Sequence, residues 1–419
     1  MIATLQRTHN FLTEFSVPLI AGVIVAVIAA NVAPDWYHHA VEWAPFGHIE
    51  VLGHEVTLHF LVNDIFMVLF FGVAAKEITE SCLPGGSLNP LRKAVNPLVA
   101  TAGGVLGPIA VFLAGHALLG GDTALGDGAS RGWGIPTATD IALAWVVARA
   151  VFGRGHPAID FLLLLAIADD AVGLGIIAVF YGDPAHPVDP SQLMLVGGAV
   201  ALAFAMRRLQ VQSWLAYVGI AGPIAWYGLI TAHLHPALAL VAIVPFIPGP
   251  THDTGLFVME DDHDNGESHD HSPLHLFEET VKPVVDVGLF FFAFANAGVS
   301  VSGVGAMTGL ILAALVLGKT LGITACSVFA SRLGFPLPQG MSHRDLGLAG
   351  FIAALGLTVA LFVSDAAFAP GALQGEAKMG ALLSGFVGIA AIAIGRVVLR
   401  RQDPDEEITE VVQDELAAK

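Results

Sequence analysis

The chain has 419 residues, 55% of them hydrophobic and only 13% charged, with a mean hydropathy of +0.72. Soluble domains carry about 25% charged residues, so that class is excluded, and the continuously apolar runs exclude a barrel of alternating strands. The net charge of −18 resides largely in two polar segments, around Asp253–Glu279 and Asp403–Glu415, with little in the apolar runs; it implies neither a basic ligand nor nucleic acid.

In chain order, helices long enough to cross a bilayer are expected at 16–33, 59–79, 95–119, 133–152, 158–181, 191–206, 213–229, 232–248, 281–300, 304–329, 346–368 and 378–399. The stretch Ser16 to Ala33 lacks a small-residue cleavage pattern and reads as a span rather than a removable leader. With twelve spans and a cytoplasmic N-terminus, Arg7, Arg92, Lys93, Arg149, Arg154, Arg207, Arg208, Arg332, Arg344, Arg400 and Arg401 all fall inside, and only Arg131 and Lys378 outside. That asymmetry is the positive-inside pattern and places both termini in the cytoplasm. The expected organisation is one polytopic domain over 1–400 followed by an acidic cytoplasmic tail, 401–419. Cys82 and Cys326 have neither the number nor the spacing of a disulfide framework or a metal knuckle.

After the first span, HIEVLGHEVTLHF (His48 to Phe60) is rich in β-branched residues around a possible Leu52-Gly53 turn. It reads as a small β-hairpin or an irregular loop; a hairpin's free edges could pair with a second copy of the chain. Glycine and proline interrupt two later spans, at Gly132-Trp133-Gly134-Ile135-Pro136 and at Gly347, Gly350 and Gly356. Broken spans in corresponding places of two halves expose backbone groups to an ion and mark transporter binding sites. Close helix packing is the other use of the second glycine set. The alternation IALA after Asp140 and VALF after Thr358 is a weak hint of an internal repeat.

The ionisable groups inside the spans are Asp64, Asp140, Asp169, Asp170, Asp286, Lys319 and Asp365. Charges at that depth cost at least a few kcal/mol and mark function by default. Asp169 and Asp170 are the most telling: adjacent, without a basic neighbour, in the apolar run Phe161 to Tyr181. Neighbours on a helix point about 100° apart, so one carboxylate can face water while the other faces a helix. Lys319, about fifteen residues into its span, reads as a side chain snorkelling to the interface or, better matched to its depth, as the partner of an aspartate, because a lone buried lysine loses its proton. Thr139 and Asp140 come just after the first break and supply a hydroxyl and a carboxylate beside unwound backbone, or cap the next helix. A carboxylate, a hydroxyl and backbone carbonyls suit a hard cation. Competition between proton and sodium for the same oxygens is enough to couple their opposite movements.

The strings GWGIPTATDIALA (Gly132 to Ala144), LAIADDAVGLGIIAVFY (Leu165 to Tyr181), FAFANAGVS (Phe292 to Ser300), LGKTLGI (Leu317 to Ile323) and GLTVALF (Gly356 to Phe362) resemble, in order, those of the NhaA-type sodium/proton antiporters, from Asn10 to about Leu399. The resemblance implies an all-α integral membrane fold of twelve helices, an inverted repeat with two broken helices crossing at mid-membrane. It also implies electrogenic exchange of internal sodium or lithium for external protons across a bacterial inner membrane, in pH and sodium homeostasis. By position, Asp170 resembles the family's cation-binding aspartate, Asp169 its partner, Lys319 the lysine paired with them, and Thr139 and Asp140 the polar pair at the crossing. The segment His48 to Phe60 falls where the family has a periplasmic hairpin used in forming homodimers. Glu77, His235 and Glu278 fall at or near positions of a pH-sensing set, but Glu80 stands where a basic residue is usual and Lys282 replaces a histidine.

The expected cytoplasmic loop Thr251–Glu279 holds five histidines and nine acidic residues and no lysine or arginine. It reads as a solvated loop, or as a segment that adjusts local cation concentration or pH response through zinc- or nickel-suited side chains. Neither a catalytic constellation nor a cofactor is expected. The competing functional classes are a cation channel, a sodium-coupled solute symporter and a metal-responsive regulator. A channel would show a filter loop or a ring, a symporter does not require the Lys319 pairing, and a regulator leaves the buried aspartates unexplained.

Overall fold

The computed structural model describes residues 17–83, 91–182, 188–249 and 272–399. Most of the acidic, histidine-rich loop and the tail 401–419 lie outside the described residues. The first helices are α1 (Val17–Val32) and α2 (Pro34–Val41). Strands β1 (Glu50–Val51) and β2 (His54–Glu55) then pair antiparallel, Glu50 opposite Glu55. Leu52 and Gly53 turn the hairpin with φ of 54° and 83°, the two positive values that a two-residue turn between twisted strands requires.

Among the described residues, six continuous helices are long and apolar enough to cross a bilayer. They are α3 (Leu58–Ser81), α4 (Ala94–Leu118), α6 (Pro157–Phe180), α8 (Trp214–Thr231), α10 (Ala306–Arg332) and α13 (Ala372–Val398). Two bent pairs raise the count to eight. In the first, a 3₁₀ run Ala129–Thr137 meets α5 (Ile141–Phe152) at 49°; in the second, α11 (His343–Ile352) meets α12 (Leu357–Ala367) at 47°. Two further long helices among the described residues are α7 (Leu193–Arg208) and α9 (Pro273–Asn296). Both breaks fall where Gly and Pro interrupt the apolar pattern.

Two segments differ from their expected form. The stretch 232–248 is not one helix but two 3₁₀ runs, Pro236–Ala242 and Val244–Phe246. Pro236, Pro245 and Pro248 lack N–H donors and hold φ near −65°, and each leaves a gap in an α-helical hydrogen-bond ladder. Helix α9 begins before the expected residue 281. Ser272 Oγ accepts from His275 N at 3.3 Å and Pro273 occupies the first turn, a start signal that converts the last residues of the expected loop, Glu278 included, into helix. The same logic recurs at His156 and His235: each is followed by proline, and its Nδ1 accepts the N–H two residues on, at 3.2 Å and 3.4 Å.

The bundle is drawn tight where α4 meets α10. A Cβ on Gly103 would strike the carbonyl of Gly322, and one on Gly322 the carbonyl of Gly103, so these backbones touch as small-residue membrane interfaces allow. Two buried apolar clusters abut the breaks, one holding Ala138 and Leu357 and the other Ile352 and Leu355.

Candidate functional site

The two breaks cross through each other. Asp140 N donates to Leu355 O at 2.6 Å, and Thr139 Oγ1 lies 3.0 Å from Ala353 O, so unwound backbone of one pair is bonded to that of the other. Asp140 binds the helix after each break: Oδ1 accepts Leu143 N at 3.0 Å, capping α5. Oδ2 accepts Thr358 N at 3.2 Å and Thr358 Oγ1 at 2.8 Å, at the start of α12. One carboxylate thus sits against the positive ends of two half-helices, where a negative charge is stabilised.

Helix α6 passes beside this crossing and presents its two aspartates differently. Asp169 is fully buried, 0% exposed. Its Oδ2 is held by Thr139 Oγ1 at 2.8 Å and by an ion pair with the equally buried Lys319, whose ammonium also donates to Thr139 Oγ1 at 2.7 Å. Asp170, 9% exposed, lines a cavity of about 390 Å³ together with Thr139, Asp140, Thr358, Asp286 and Glu77. Its buried Oδ1 has no hydrogen-bond partner among the described residues, and no ion pair reaches it among the described residues. An unsatisfied buried carboxylate oxygen costs about 1–3 kcal/mol or more unless a proton, water or cation fills the place. With a hydroxyl, a second carboxylate and freed carbonyls nearby, the oxygens suit a small hard cation as cargo.

Lys319 ends a π-helical turn, Ala314–Lys319, and Asp64 lies in another, Leu61–Phe66. Such turns insert a residue, re-aim the side chains beyond it, and concentrate at functional sites; a hydropathy pattern carries no trace of them.

Of the other expected residues, Glu77 and Glu278 are brought together, but not with His235. They surround Lys76, a side chain that sequence reasoning missed. Its ammonium lies 3.1 Å from Glu77 and 2.6 Å from Glu80, and it pairs with Glu278. Lys76 and Glu80 are four apart on one helix face, the spacing that could have revealed the pair. His235 lies at the other end of the bundle, in a cavity of about 240 Å³ shared with His54, Asp64, Tyr181 and Asp365. Thr358, His59 and Asn63 were also missed; each is a common residue made significant only by what faces it.

Comparison with known proteins decides the family. The sequence model described as Na+/H+ antiporter 1 matches residues 9–399. The chain belongs to that family. A Na(+)/H(+) antiporter NhaA of Geobacter sulfurreducens is 55% identical over 400 residues, spanning 96% of this chain and 100% of the relative. One from Desulfitobacterium hafniense is 54% identical over 398 residues (95% and 97%), and one from a Jannaschia species 43% identical over 423 (94% and 98%). As a member of the antiporter family the chain is a multi-pass membrane transporter and not an enzyme.

Proposed function

We propose that this antiporter exchanges cytoplasmic sodium or lithium for external protons, electrogenically, in a bacterial inner membrane, with Asp170 as the group where cation and proton compete. The observation that carries this reading is the asymmetry of the aspartate pair: each has a buried Oδ1 without a hydrogen-bond partner among the described residues, but Asp169 is tied through Oδ2 to Lys319, while Asp170 is in no ion pair among the described residues and lines an open cavity. A cation arriving from the Lys76 side meets Asp170 with Thr139 and Asp140 alongside, and must displace its proton. The Asp169–Lys319 pair is a second proton-exchanging unit, since a cation near the pair shifts which partner holds the proton. Two such units allow more protons than cations per cycle, which makes the exchange electrogenic.

The finer architecture belongs to the same proposal: twelve crossings in an inverted repeat, one domain over 1–400, both termini cytoplasmic, and a lipid-embedded homodimer joined through the hairpin. Three features support it: arginines concentrated on one side, two broken pairs bent by nearly the same angle, and a hairpin with free edges. Glu77 and Glu278, clustered on Lys76, and His235 are assigned to pH response. Neither a symporter nor a channel draws support from any feature of the site. The test is proton movement in everted vesicles or proteoliposomes on addition of sodium, lithium or potassium. Asp170→Asn should abolish sodium- and lithium-driven exchange; normal exchange in that variant overturns the assignment.

A further inference from the structure

Helix α12 carries three residues on one stripe, at i, i+4 and i+7, each tied to a different part of the molecule. Thr358, at its start, holds Asp140 and lines the Asp170 cavity. One turn on, Phe362 is 1% exposed and lines neither cavity. Its ring packs 5.0 Å from that of Phe71 on α3 and 4.6 Å from His235. Asp365, about 10 Å along the axis from Thr358, lines the hairpin-side cavity, whose described lining includes neither Asp169 nor Asp170. The apolar plug Phe71–Phe362 therefore lies between two cavities that open toward opposite ends of the bundle.

Asp365 is bonded as heavily as Asp170 is lightly. Its Oδ1 accepts from Lys378 Nζ at 2.9 Å and Gln374 Nε2 at 3.0 Å, both on α13. Its Oδ2 accepts from Asn63 Nδ2 at 3.0 Å and lies 3.1 Å from His59 Nε2, both on α3. Asn63 in turn exchanges amide hydrogen bonds with Asn296 of α9, at 2.8 Å and 3.2 Å. Charge-assisted bonds of this kind are the strong ones, and these tie the hairpin-side end of α12 to three other helices.

We propose that Asp365 is a positioning residue of the exchange cycle. Its contacts with His59, Asn63 and Lys378 clamp α12 so that Phe362 closes the hairpin-side path while the Asp170 cavity is open to the Lys76 side, and the clamp is released when access switches. This rests on the antiporter reading. Removing a contact made in only one access state shifts the population toward the other, by the contact's differential stability.

The experiment is sided thiol labelling in a chain with Cys82 and Cys326 replaced. Leu234→Cys reports the hairpin-side cavity and Val73→Cys the Asp170 cavity, each with a membrane-impermeant maleimide. Asp365→Asn should raise labelling at position 234 about fivefold or more and lower labelling at position 73. The apparent KM for sodium applied on the Lys76 side should rise in parallel, and Asp365→Glu should restore all three. Simple loosening would raise both labelling rates together, and that result, or rates unchanged within twofold, overturns the clamp. If Asp365→Asn does not fold, Lys378→Gln and His59→Gln are to give the same opposed changes. Labelling does not depend on turnover, so a wild-type chain that fails to exchange sodium for protons would sink the antiporter reading by itself, leaving the opposed changes to judge the clamp.

Discussion

Asp170 and Asp365 are both carboxylates deep in the bundle, and their surroundings are opposites. Asp365 has four donors from two helices arrayed on its two oxygens; Asp170 has a buried oxygen that none reaches among the described residues. A charge with its bonding capacity filled holds structure and has no capacity left for cargo. A charge left short of partners is costly in the resting protein, and that cost is relieved each time a proton or cation binds. Saturation of the carboxylate, more than depth or burial, separates the clamp from the site.

The sharpest way to break this comparison is to take the partner from a carboxylate that is ion-paired through one oxygen only. Lys319→Ala strips Asp169 of its cation and should destabilise the protein by about 3–5 kcal/mol, read as a fall in the melting temperature of detergent-solubilised protein. Lys319→Met combined with Asp169→Asn should recover most of that loss, because both charges leave together. Equal melting of the single and double variants would show that Asp169 is not held by the lysine. Electrogenic exchange retained in the single variant would make Lys319 structural rather than a proton carrier.

Lys76→Met tests the same rule with a wetter cluster. It leaves Glu77, Glu80 and Glu278 without their shared ammonium, but the Glu77 and Glu278 side chains are 12% and 10% exposed against 1% for Glu80. Water and Lys282, 4.0 Å from Glu278, absorb part of the charge. We expect a loss of about 2–3 kcal/mol, below the Lys319 case. A larger loss than for Lys319→Ala would reverse the ranking of the two clusters.

Thr358→Val isolates a single neutral donor at the crossing. Asp140 keeps Leu143 N and Thr358 N but loses the hydroxyl at 2.8 Å, a change of about 1 kcal/mol. The apparent KM for sodium should rise about fivefold with little effect on melting. An unchanged KM would mean that Asp140 is an anchor for the half-helices and not part of the cation's surroundings.

The range of each interaction decides how much of this was legible in the sequence. The breaks were readable because Gly132, Gly134, Pro136 and Gly356 act on their own backbone. The aspartate pair was readable because charge in an apolar run is anomalous without reference to anything else. The partner choice was legible only through the family resemblance, which made Asp169 the residue that positions Lys319: from spacing alone, whether Lys319 reaches Asp169 or Asp170 depends on a π-helical turn and on how closely α10 packs against α4. The clamp was invisible for the same reason, since His59, Asn63 and Lys378 are unremarkable until α3 and α13 converge on Asp365. The 3₁₀ form of Pro236–Phe246 could have been read from its prolines, but its apolar length weighed more heavily.

The smallest predicted effect lies in the hairpin, far from either carboxylate. Leu52 holds φ of 54°, a left-handed conformation that strains a side chain branched at Cγ and that asparagine adopts more readily. Leu52→Asn should steady the turn by up to about 1 kcal/mol. The amide of Val56 donates to Ile49 O at 2.9 Å, closing the hairpin, and its hydrogen exchange should slow by up to about fivefold. Because the turn lies between the strands and not along their outer edges, the substitution should leave both exchange activity and oligomeric state unchanged. A shift in oligomeric state would place the turn itself in the contact between copies, and the proposed edge pairing would have to be redrawn around the tip.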